Sequence, residues 1–111
     1  MLIESIKSLL GAETLFGEDF LGKEVYTAFS SDMMSDVLAH GMNHSILVTS
    51  LCNPQVIRTA DMLDIACIIF VRNKQPDELM LNLASEKDIA ILRTKNKMFT
   101  TCGLLYGAGI R

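Results

Sequence analysis

Ser45-Ile46-Leu47-Val48-Thr49-Ser50-Leu51-Cys52-Asn53-Pro54-Gln55-Val56-Ile57 reads as a buried strand, a polar loop and the first turn of a helix. Ile46, Leu47 and Val48 form the short apolar run of a strand covered on both faces. Asn53 suits the N-cap, because its side chain can accept from an orphan amide two or three residues on. Pro54 suits the first helical position, where a missing N–H costs nothing. Such a loop lies at the carboxyl end of a strand and the positive end of a helix, where α/β proteins commonly hold ligands.

The pattern repeats downstream. After helix 54–64, with its stripe of Val56, Ile57, Ala60 and Leu63, comes strand 66–71, the most hydrophobic of the chain. Residues 72–75 turn into helix 76–87, with Pro76 at its first position and Leu79, Met80 and Leu83 facing inward. Strand 89–92, turn 93–96 and helix 97–106 complete the series, with Met98, Cys102, Leu105 and Tyr106 as the last stripe. Consecutive βα units imply parallel strands joined by right-handed crossovers. Upstream, Leu2, Ile3, Ile6, Leu9 and Leu10 mark a helix over 2–11 ended by Gly11. Strand 13–16, loop 17–22 and strand 23–29 follow. A short helix over 33–40 comes next, with Met34, Val37 and Leu38 inside and Gly41 closing it. The expected architecture is a three-layer α/β domain with a mainly parallel sheet, residues 1–111 forming one domain.

Half of the 111 residues are hydrophobic and 21% are charged, which suits a packed domain and argues against disorder. The mean hydropathy of +0.31 points to a covered parallel sheet, a subunit interface, or both. No apolar run reaches the roughly 18 residues that span a bilayer. Met1-Leu2-Ile3-Glu4-Ser5 lacks the basic start of a signal peptide. Cys52, Cys67 and Cys102 fit neither a disulfide framework nor a metal site, so a reducing cytoplasm is the expected compartment. Residues 1–40 carry seven acids against two bases, residues 41–111 six against eight. The overall charge of −3 argues against a nucleic-acid binder.

Five of the ten basic residues, Arg72, Lys74, Arg93, Lys95 and Lys97, fall in or beside two loops at strand carboxyl ends. Bases at helix N-termini oppose the macrodipole, which favours an acid there by roughly 0.3–1 kcal/mol. One reading is an anion site built by Thr49, Ser50, Leu51, Cys52, Asn53, Arg72, Lys74, Arg93, Thr94 and Lys95, for a phosphate, nucleotide or carboxylate. The other is solvated loop charge, some of it paired with Asp32, Asp36 or a neighbouring subunit. Cys52, just before a helix start, is either a thiol of lowered pKa or a small side chain packed under the loop. Cys67 and Cys102 lie on apolar faces and read as core. His40 reads as a helix C-cap and His44 as a loop residue; neither has ligand spacing. Asp32 and Asp36, four apart, read as a solvated acidic face in preference to a cation site. No catalytic motif, metal set or cofactor fingerprint occurs.

Met34-Ser35-Asp36-Val37-Leu38-Ala39, Leu47-Val48-Thr49 with its loop and helix, Ile68-Ile69-Phe70-Val71 leading to Gln75-Pro76-Asp77-Glu78, and Phe99-Thr100-Thr101-Cys102-Gly103-Leu104-Leu105-Tyr106 together resemble the DRTGG domain family. With the N-terminal helix and Glu13–Phe29, the resemblance covers essentially the whole chain. It implies a fold similar to the N-terminal domain of HPr kinase/phosphorylase and the first domain of Mur ligases. It also implies a regulatory or ligand-sensing module that pairs with itself and does not catalyse. Family members stand beside CBS domains in regulated pyrophosphatases, and stand-alone ones near iron hydrogenase and redox-sensing genes. Where the name-giving motif would lie, this chain has Ser50-Leu51-Cys52-Asn53-Pro54-Gln55.

The functional expectation is a cytoplasmic sensor domain, a homodimer, holding an anionic metabolite or nucleotide at the strand carboxyl edge, without cofactor. The alternatives are an adaptor that docks on a protein partner and binds no small molecule, and an enzyme acting through Cys52. No general base beside that thiol is visible for the last of these.

Overall fold

The computed structural model describes residues 1–111. Five strands, β1 (Glu13–Phe16), β2 (Ala28–Ser30), β3 (Ile46–Thr49), β4 (Cys67–Phe70) and β5 (Ala90–Arg93), form one sheet in the order β1-β5-β4-β3-β2. β2 through β5 are parallel, as the βα repeats require, and β1 joins β5 antiparallel.

Side chains alternate along each central strand, so each strand serves two cores. Ile46, Val48, Cys67, Ile69, Ala90 and Leu92 pack beneath α1 (Ile3–Leu10) and α5 (Met98–Gly107). Leu47, Ile68, Phe70 and Ile91 pack against α2 (Met34–His40), α3 (Pro54–Met62) and α4 (Glu78–Lys87). The three-layer α/β expectation is met, and β3 and β4 are buried at every position. Gly11 ends α1 in the left-handed conformation. At Gly17, with φ at +96°, a Cβ would stand 2.8 Å from the Ala90 Cα, so only glycine fits between β1 and the start of β5.

Four details differ from expectation. Of the strand read over 23–29, only residues from Ala28 onward pair with β3; Glu24 instead bridges to Leu2. α4 begins at Glu78, because the Asp77 carboxylate accepts from the Met80 amide at 2.9 Å and makes Asp77, not Pro76, the boundary. The inward face of α4 is centred on Met80 and Ala84, so Leu79 turns to solvent, 56% exposed, with Leu83 half-buried. Leu38 and Tyr106 likewise lie on exposed flanks of their helices. No helix is long and apolar enough to cross a membrane.

Candidate ligand site at the strand carboxyl edge

The loops after β2, β3, β4 and β5 meet on one edge of the sheet. The β3–α3 loop is fixed by its own polar side chains. Asn53 Oδ1 accepts from the Gln55 amide at 2.9 Å, the expected N-cap with Pro54 behind it. Thr49, buried, accepts from the Leu51 amide at 3.1 Å and donates to Asp32 Oδ1 at 2.9 Å. Ser50 donates its amide to Asp32 Oδ1 at 2.7 Å and its hydroxyl to Oδ2 at 2.5 Å. Asp32, Thr49 and Asn53 therefore occupy the Ser50, Leu51 and Gln55 amides of this loop. The residual burial of Asp32 opposes ionisation, but the hydrogen bonds from Ser50, Thr49 and Leu51 outweigh that and hold the carboxyl below its ordinary range. Asp32 is thus a loop latch and not simply part of a solvated acidic face with Asp36. It lies ahead of α2, and the signal for its role was the Thr49-Ser50 pair at the end of a buried strand.

The β4–α4 and β5–α5 loops are stitched together. Arg72 and Asn73 both adopt left-handed conformations, with φ at 57° and 58°. Their amides donate to the carbonyls of Asn96 and Thr94, each at 2.8 Å. Among the candidate residues on these loops, Arg93 and Thr94 are committed internally. Arg93 reaches both Glu13 oxygens at 3.1 Å across the antiparallel β1–β5 pair and also donates to Gln75 Oε1. Its side chain is 17% exposed, and its buried Nε has no partner. The buried Thr94 hydroxyl donates to the Leu10 carbonyl at 3.0 Å and accepts from the Asn96 amide at 3.2 Å, joining the end of α1 to this loop.

Arg72, Lys74, Lys95 and Lys97 are different. The molecule has four ion pairs, Met1–Glu24, His44–Asp64, Lys87–Asp61 and Arg93–Glu13, so none of these four cations has an acid within 4.0 Å. The helix ends differ as well. α3 is capped by Asn53 and α4 by Asp77 with Glu78 in its first turn, whereas α5 has neither a side-chain cap nor an acid there. Its orphan amides follow directly on Lys95-Asn96-Lys97, with Arg72 hydrogen-bonded to Asn96.

Cys52 is half-buried between the two halves of this edge. Burial pushes its thiol up, Asp77 adds to that, and Lys74 only partly offsets it, so the lowered-pKa reading is corrected. Cys67 is fully buried and pushed up to about 12. None of the ten candidate residues lines a concavity. The largest, about 530 Å3, opens at the other end of the strands among His44, Asp61, Asp64, Lys87 and Asp88. The carboxyl edge is an open surface.

The family model for the DRTGG domain matches residues 5–108. The chain belongs to the DRTGG domain family. This DRTGG domain is similar to a solved crystal structure of the CBS and DRTGG domains of the regulatory region of Clostridium perfringens pyrophosphatase, complexed with the activator diadenosine tetraphosphate. The TM-score is 0.74 at 19% identity, a likeness of fold, covering 92% of this chain and 44% of that one. The DRTGG domain here thus spans less than half the length of that regulatory chain. No curated protein sequence matches it.

Proposed function

We propose that this chain, as a single DRTGG domain, is a non-catalytic regulatory module that senses an anionic small molecule at the carboxyl edge of its parallel strands and works as a homodimer. The carrying observation is the uncapped start of α5 beside Lys95, Lys97 and Arg72, cations that no acid of the chain neutralises. Backbone amides and positive side chains converging on one spot recognise phosphate-bearing or carboxylate ligands. Thr49, Ser50, Leu51, Cys52 and Asn53 shape the neighbouring wall, Lys74 adds charge, and Arg93 with Thr94 holds the loops in place. The solved relative crystallised with a nucleotide activator supports the nucleotide class among these ligands. A cytoplasmic setting and a link to redox or hydrogenase metabolism extend the same reading from the family's stand-alone members.

The absence of a concavity at the edge favours a second reading, a docking adaptor whose basic edge meets an acidic protein surface. A thermal-shift series with phosphate, pyrophosphate, nucleoside triphosphates and acidic metabolites separates the two. The sensing reading expects at least one to raise the melting temperature, by roughly 2.7 kcal/mol of stabilisation at a hundredfold excess over Kd. A series without any rise leaves the adaptor.

A further inference from the structure

α5 carries one large side chain that its packing does not use. Phe99 is 90% exposed, more than any other large apolar residue of the chain. The other four phenylalanines, Phe16, Phe20, Phe29 and Phe70, are buried or half-buried. Met98, Thr101, Cys102 and Leu105 form the face of α5 turned to the sheet, and Phe99 stands off it. A phenylalanine left in water forgoes roughly 1.5–3 kcal/mol of burial. Its ring pairs with no other aromatic ring and lies under no cation, since those contacts involve Phe16, Phe20, Lys23, Tyr106 and Arg111. One turn further on the same flank, a Cβ added at Gly103 would meet nothing within 4 Å, so the space beside the ring is open.

The place of the ring matters as much as its exposure. Phe99 is the second residue of α5, directly after the stretch Lys95-Asn96-Lys97-Met98. Helical side chains lean toward the N-terminus of their helix, so this ring lies over the opening of α5. There Lys95 and Lys97, with Arg72 tied in by its amide bond to Asn96 O, carry charge that no acid of the chain neutralises. A free aromatic face beside free cations suits a ligand with a flat ring at one end and anionic oxygens at the other. We propose that Phe99 sets the specificity of this edge: a nucleobase stacks on its ring while the phosphates meet Lys95, Lys97 and Arg72. This rests on the anion-sensing reading above and narrows its ligand to nucleotides. Every base offers a π-face to an aromatic side chain, and a purine offers the larger one. Inorganic phosphates and acidic metabolites without a ring use the cations alone.

Calorimetric titration of the full chain with ATP and with inorganic tripolyphosphate, which has the phosphates without the base, tests the proposal. The wild type is expected to bind ATP about 5- to 150-fold more tightly, the range for one base stacked on one aromatic side chain. Phe99→Ala should bring ATP down to the affinity of tripolyphosphate, and Phe99→Trp should keep the preference. With the ring 90% exposed, both variants should retain the wild-type circular dichroism. An unchanged tripolyphosphate affinity in Phe99→Ala checks independently that the cations are still in place. Equal affinity of the wild type for the two ligands, or a preference for ATP that survives Phe99→Ala, overturns the role of Phe99 and leaves the anion site standing. Binding of neither ligand overturns both.

Discussion

The Asp32 carboxylate accepts both the amide and the hydroxyl of Ser50, at 2.7 and 2.5 Å, and so locks the loop after β2 onto the loop after β3. The chain thereby supplies its own anion to the first of its strand-end loops. On the proposed reading an external anion goes to the other half of the edge, where the start of α5 is uncapped.

Replacing Asp32 by Ala is expected to destabilise the domain by about 1 kcal/mol, the worth of charge-assisted hydrogen bonds after discounting for an exposed carboxylate. The pH dependence has a definite sign. The folded carboxyl titrates below its unfolded value of 3.8, so its contribution is fully present above that pH and fades as pH falls through the folded value. Urea denaturation at pH 7 and at successively lower pH below 4 checks this. The gap between wild type and Asp32→Ala should narrow with acid; a gap that widens contradicts the latch.

Arg93 and Arg72 are expected to separate cleanly. Arg93→Ala leaves Glu13 and Gln75 unpaired at the β1–β5 seam and should cost about 2 kcal/mol. Arg72→Ala removes an exposed side chain with no ion-pair partner and should change stability by no more than about 0.5 kcal/mol. Chemical denaturation of both variants measures the two costs, and equal losses would contradict the division into structural and free cations.

The same division shows what was readable beforehand. The βα repeats, the Asn53 cap and the concentration of charge at two loops are local patterns, and all three appear in the fold. The partner of Arg93 is not local. Glu13 lies 80 residues away and meets it only because β1 inserts antiparallel beside β5. α4 shows a subtler limit. Pro76 and Asp77 both carry helix-start chemistry and only the Asp77 cap is used, while Leu79, apolar and next to Met80, lies just off the face that docks. β2 begins later than its alternation suggests, since β3 offers pairing partners only from Ile46 onward.

Cys52 should behave as an ordinary or sluggish thiol. Burial and Asp77 raise its pKa, so iodoacetamide at pH 7.5 should modify it no faster than a free cysteine, and Cys67 more slowly still. Mass-spectrometric labelling kinetics decide this. Faster modification of Cys52 would revive a reactive-thiol role for the loop.

The central claim is that an anion binds where the free cations converge on the start of α5. Titration of the isotopically labelled protein with inorganic pyrophosphate and with ATP, followed by amide chemical shifts, tests it most directly. The account predicts saturable shifts confined to Arg72–Lys74 and Lys95–Phe99, lost in a Lys95→Ala/Lys97→Ala double variant that keeps the native spectrum. Saturable shifts gathered instead around His44, Asp61 and Asp88 at the opposite end of the strands, or none with either ligand, would contradict it.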